Sequence, residues 1–241
     1  MIYAGTGRRF LALYLSLGMA VAALPVWCAP GQLDPAAATV RTYCDALLET
    51  MKHAKELGLQ GRYDKLAPSI RATFDLDAMT RIAVGPDWTS IPSDQRVALV
   101  ENFTRMIIAT YASRFDGYSG ERFDVDPTTE VRRADRIVRT KLIHSDGQSE
   151  VLNYLVRETG GTWKVVDVYL SGTISELATR RSEFGAILKS GGPGALIDSL
   201  RQRSGKLLQG DGSEWLRDRS ALLARWSGLV PPAPPPCGVV A

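Results

Sequence analysis

The chain has 241 residues, 45% hydrophobic and 23% charged, with a formal net charge of +3. That is enough apolar material for one sizeable core. The near-neutral balance excludes an electrostatic case for nucleic acid, because no surplus of cations exists to meet phosphate.

Arg8 and Arg9 precede an uncharged stretch from Phe10 to Trp27, and Cys28-Ala29 leads into a Gly/Pro break. This order reads as an export signal over residues 1–29, cleaved rather than retained as an anchor, since the run is at the lower length limit for a bilayer. Its removal leaves Cys44 and Cys237, whose spacing demands no disulfide. The mature chain is expected to be soluble, with one domain over 30–210 and a flexible Pro-rich tail over 211–241.

Apolar residues at helical spacing predict a helix from Asp34 to Leu57, broken by Gly58 and Gly61. Short helices follow over Arg62–Ala72 and Leu76–Val84, the second closed by Gly85-Pro86. A longer helix, capped by Ser93, runs to about Phe115 with Val97, Val100, Phe103, Ile107 and Tyr111 on one face. The period then changes to that of strands, in four runs between Arg122 and Leu170. Read as two-residue turns, Asp146-Gly147 and Gly160-Gly161 place Ser145 opposite Gln148 and Thr159 opposite Thr162. Counting outward collects Val138, Leu142, Val151, Leu155, Val166, Val168 and Leu170 on one face, with Thr140 and Asn153 among them. Arg139, Lys141, Tyr154, Trp163, Asp167 and Tyr169 fall on the other. Two helices, Ser175–Lys189 and Pro193–Leu208, complete an α+β layout.

Chemistry-bearing signals are few. His53 and His144 read as solvated surface residues, and no cluster has metal-ligand spacing, so neither a metal nor a cofactor is expected. Asp75 and Asp77 resemble a helix cap, and Asp124 and Asp126 a strand edge. An enzyme of envelope-lipid processing would need a titratable pair, for which Asp75 and Asp167, helped by Tyr154 or Tyr169, are the candidates. In "SELATRRSEF" a capping box from Thr173 to Glu176 starts a helix. Ile174, Leu177, Arg181, Phe184 and Leu188 then share a face, while Glu176, Arg180 and Glu183 are solvated. An arginine in an apolar stripe needs a partner; Arg181 is expected to lock onto a carboxylate such as Asp75, with a ligand anion as the alternative.

Phe74-Asp75, Gly85, Trp88, Gln95, Phe103 and Tyr111, followed by Asp167-Val168 and Ser175 through Arg181-Ser182-Glu183-Phe184, resemble the pattern of the MlaC-like lipid shuttles, the toluene-tolerance auxiliary family. The resemblance spans roughly Asp34 to Leu208. Arg180 stands where the family pattern has an aromatic, and "SELATRRSEF" is similar to the hopanoid-associated HpnM branch. The resemblance implies a curved antiparallel sheet of about four strands wrapped by N- and C-terminal helices around an apolar cavity. It implies a monomeric periplasmic carrier of a hopanoid or phospholipid, passing it between an inner-membrane transporter and an outer-membrane acceptor complex. On that reading Phe103, Ile107, Tyr111, Val138, Leu142, Leu155, Val166, Val168 and Leu170 line the cavity, with Trp88 and Asn153 near its mouth. The same apolar face is also compatible with an ordinary core in a structural adaptor.

Overall fold

The computed structural model describes residues 33–210. The expected export signal and the expected C-terminal tail, with Cys237, lie outside the described residues. Helices α1 (Pro35–Lys52), α2 (Ala54–Thr73), α3 (Leu76–Val84) and α4 (Ser93–Arg114) come first. Strands β1 (Arg122–Arg132), β2 (Asp135–Ile143), β3 (Ser149–Thr159), β4 (Thr162–Leu170) and the two-residue β5 (Ile174–Ser175) follow, then α5 (Glu176–Leu208). The α+β class stands, with a fifth short strand added.

Local chemistry explains the breaks. The Asp34 carboxylate accepts from the Ala36 amide at 2.9 Å and Pro35 opens α1, both favourable at a helix start. The first helix ends at His53 rather than at Leu57, and Gly58, at φ 60, kinks α2 in a conformation that costs glycine little. Gly192, at φ 68, and Pro193 bend α5 between the two expected helices. No side chain caps α4, whose N-cap position is Pro92, not Ser93. Val97, expected on its apolar face, is 59% exposed; Leu99, Phe103, Met106, Ile107 and Ile108 form the buried side instead.

The sheet is an antiparallel meander in chain order, β1 to β5. Along β2, Val138, Thr140 and Leu142 are buried while Arg139 and Lys141 are exposed, so one face carries the core. The β3–β4 hairpin turns on Gly160 and Gly161, both at positive φ, and pairs Thr159 with Thr162 as the two-residue turn requires.

The β2–β3 register differs from the expected one. His144 donates to the Gln148 carbonyl at 2.8 Å and Gly147, at φ 84, donates back to His144. The loop is therefore three residues, Ser145 to Gly147, and Val138 pairs with Tyr154 rather than with Leu155. That one-residue slip turns β3 over. Tyr154 and Val156 go to the core face, while Val151, Asn153 and Leu155 go to the opposite one. A single-residue bulge in β4 then offsets the slip: Val156 pairs with Val165 and Leu155 with Asp167, leaving Val166 as the extra residue. Val168 and Leu170 thereby return to the face of Val138. Trp163 also lies on that face, where the Arg136 guanidinium sits 5.1 Å above its ring. Among the described residues, no helix is long and apolar enough to cross a membrane.

Candidate functional site

The helices cover the core face of the sheet, and the interior between them is aromatic. Tyr43 of α1 meets Phe74 at 5.0 Å between ring centroids, Tyr111 at 5.7 Å and Tyr154 at 6.2 Å, all edge-on. Phe103 meets Phe184 of α5 edge-on at 6.3 Å. Ile107, Val138 and Val168 fill the space around them. Burial pushes the hydroxyl pKa values of Tyr43 and Tyr154 well above the ordinary range and that of Tyr111 up to about 12. It likewise pushes the Cys44 thiol up to about 12, so this cysteine is a small buried hydrophobe rather than a reactive group.

Two cavities open beside this interior. One, of about 440 Å³, lies where α2 meets α3 and is lined by Phe74, Leu76, Val100 and Thr104, with Arg71 and Lys164 among its polar groups. The other, of about 460 Å³, opens on the opposite face and is lined by Asp124, Asp126, Arg139, Lys141, Val151 and Asn153. Both volumes fall within the roughly 300–1,000 Å³ typical of small-molecule sites. The first adjoins the aromatic interior through Phe74. The second is polar and mixed in charge.

Asp167 organises the far end of the sheet. Its carboxylate accepts from the Val168 amide at 2.8 Å, the Ser175 hydroxyl at 2.5 Å and the Leu177 amide at 3.2 Å. It fastens β4 to β5 and to the first turn of α5. Ser175 is the N-cap of that helix, accepting from Ala178 at 2.9 Å, so the expected start at Thr173 is corrected: Ile174 belongs to β5. The embedded arginine is also corrected. Arg180 is the half-buried one, 3.3 Å from Glu176 and 3.9 Å from the Met106 sulfur, and desolvation lowers its pKa. Leu177 and Phe184 lie three and four residues from both arginines, so spacing alone could not choose between them.

Arg181 is exposed and donates to the Ile82 carbonyl from Nε at 2.9 Å and Nη2 at 2.7 Å. It ties α5 to the end of α3, where carbonyls lack helical partners, and passes beside Gly85. Asp75 is not its partner: that carboxylate caps α3 by accepting from Ala78 at 3.0 Å. Arg181→Ala is expected to cost about 1 kcal/mol in chemical denaturation, the usual net value of such bonds. Arg181→Lys, which cannot give two parallel N–H groups, is expected to recover less than half of it.

The structure groups the expected lining residues unevenly. Phe103, Ile107, Val138, Leu142, Val166 and Val168 are buried, and Tyr111 and Leu170 are half-buried at the core's edge. Leu155 stands on the opposite face. Trp88 packs against the core from the 3-10 turn Gly85–Ser90. Asn153 is not at a mouth of the interior: it lies on the other face, accepting from the Thr140 amide at 3.4 Å and donating to the Gly172 carbonyl at 3.3 Å. Sequence reasoning did not place Tyr43, Phe74 and Phe184 in this aromatic interior. Their positions on apolar stripes were the available signal, whereas Tyr154 was hidden by the register. His53 bridges Glu49 and Glu56, His144 meets Glu150, and no metal-holding group of side chains comes together among the described residues.

An antiparallel sheet with helices on one apolar, aromatic face and a cavity beside them defines an α+β module. A family model described as MlaC protein matches residues 41–202, and the chain belongs to that family. It is similar in structure to a phospholipid-binding protein from Ralstonia solanacearum, solved in complex with a phospholipid. The identity is 26% and the TM-score 0.64, over 72% of this chain and 99% of that one. No curated protein matches the chain.

Proposed function

We propose that the chain is a periplasmic lipid carrier that takes a phospholipid or a hopanoid between its helices and sheet. It passes the lipid, as a monomer, from an inner-membrane transporter to an outer-membrane acceptor complex. The observation that carries this reading is the apolar interior: Phe103, Ile107, Val138 and Val168 belong to one buried cluster edged by Tyr111 and Leu170, and Phe74 joins that cluster to the 440 Å³ cavity. The family and the phospholipid held by the Ralstonia protein support it. Burying about 16 methylenes at about 0.8 kcal/mol each gains on the order of 13 kcal/mol gross, so release to water is too slow and transfer requires docking.

Arg180 supports a hopanoid only through the likeness of its stretch to the hopanoid-associated HpnM branch. Half-buried beside Met106 and Glu176, it gives the interior edge a cation where the family pattern has an aromatic. A rigid ring system also loses less conformational entropy on entering. An enzyme finds less support, since Asp75 and Asp167 are each committed to backbone amides. Native mass spectrometry with lipid extraction, on chain purified without detergent from a hopanoid-producing Gram-negative host, tests the reading. One lipid per chain is expected; a chain that is empty and refuses added lipid would make the interior an ordinary core.

A further inference from the structure

The interior contains a polar group that the apolar reading leaves unused. Tyr43 is fully buried, and its hydroxyl has no hydrogen-bond partner among the described protein groups. The Tyr111 hydroxyl is near enough to couple to it and the Tyr154 hydroxyl near enough to perturb it, yet neither gives it a contact that meets the distance and angles of a hydrogen bond. A buried hydroxyl without a partner is costly, and phenylalanine would fill the same space without that cost. Phe74 stands between this group and the outside. Its ring is 5.0 Å from that of Tyr43, it lines the 440 Å³ cavity, and it sits at the junction of α2 and α3. A chain entering by that cavity passes Phe74 before it reaches Tyr43.

We infer that the Tyr43 hydroxyl is an internal anchor, donating to an acceptor oxygen on an otherwise apolar ligand that enters past Phe74. The inference rests on the carrier reading and adds the chemistry of recognition to it. Two ligands offer such an oxygen: the ester carbonyl of a diacyl phospholipid and the hydroxyl of a hopanoid polyol. An internal acceptor requirement selects against bare hydrocarbon, because only a ligand with an oxygen at the right depth satisfies the tyrosine.

The test titrates the delipidated full chain and its Tyr43→Phe variant with four probes. These are a diacyl phospholipid, its dialkyl ether analogue, a hopanoid polyol and the hydrocarbon hopene. The variant is expected to bind one oxygen-bearing probe about tenfold more weakly, the scale of one hydrogen bond, and that probe's oxygen-poor counterpart unchanged. Its ligand-free Tm is expected to be no lower than that of the native chain. Selective loss of the diacyl lipid assigns the carbonyl; selective loss of the polyol assigns the hydroxyl. Equal effects within both pairs, or none, overturn the inference while leaving a carrier in place. If Tyr43→Phe fails to fold, the native chain decides: no preference for ester over ether, or for polyol over hopene, overturns it. A native chain that binds none of the four defeats the carrier reading and the inference with it.

Discussion

Tyr154→Ala is expected to lower the unfolding free energy by about 4 kcal/mol, the scale of a large buried aromatic removed from a packed core. Tyr154 is among the largest fully buried side chains, and it stands between Val138 and Val168 on the sheet and beneath Tyr43. Its loss leaves a cavity that neighbours on two strands and a helix cannot collapse together to fill. Leu155→Ala, one residue on, is expected to cost only about 1 kcal/mol, because Leu155 is half-exposed on the opposite face and its removal opens no interior space. Urea denaturation of the pair measures the contrast. A larger loss at Leu155 than at Tyr154 would restore the two-residue turn and the opposite orientation of β3.

Asp167→Ala is expected to destabilise by about 3 kcal/mol, since it strips the acceptor from two buried amides and a hydroxyl at one junction. Asp167→Asn is expected to cost about 1 kcal/mol or less: its oxygen still accepts from the amides and its nitrogen can donate to Ser175. The two variants also separate by pH. Burial raises the Asp167 pKa above its ordinary value near 3.8, outweighing the bonds from Ser175, Leu177 and Val168 that lower it. The folded chain therefore holds this proton more tightly than the unfolded one. The stability it contributes is fully present below about pH 3.8 and is lost as pH rises through the raised value. Relative to Asp167→Asn, which cannot titrate, the native chain is expected to gain stability as pH falls through that window. A constant difference across the window would mean that Asp167 is solvated.

The helical half of the fold could be read from spacing because each apolar stripe is local, and its glycines break helices where their positive φ requires it. The sheet could not be read as completely. Asp146-Gly147 suits a two-residue turn and a three-residue loop alike, and the backbone bonds from His144 and Gly147 that choose between them depend on how both strands twist. The bulge at Val166 carries no residue signal, since valine suits a strand and a bulge equally. These two effects cancel across β3, so Val138, Val168 and Leu170 share a face as their alternation predicts, while Tyr154 and Leu155 exchange faces. The choice between Arg180 and Arg181 failed for a related reason. Helical spacing places both beside Leu177 and Phe184, and the tilt of α5 against α3 and α4 decides which one reaches a carbonyl and which one is buried.

Lipid between the helices and the core face of the sheet is the central claim, and photo-crosslinking tests it most directly. A phospholipid carrying a diazirine in its acyl chain is loaded, irradiated, and the labelled peptides are mapped. Labels are expected on the segments containing Phe103 to Tyr111, Val138 to Leu142 and Val166 to Leu170, with Phe74 labelled on the way in. Labels confined to the exposed opposite face, around Lys141, Val151 and Leu155, would contradict the claim and place the lipid outside the fold.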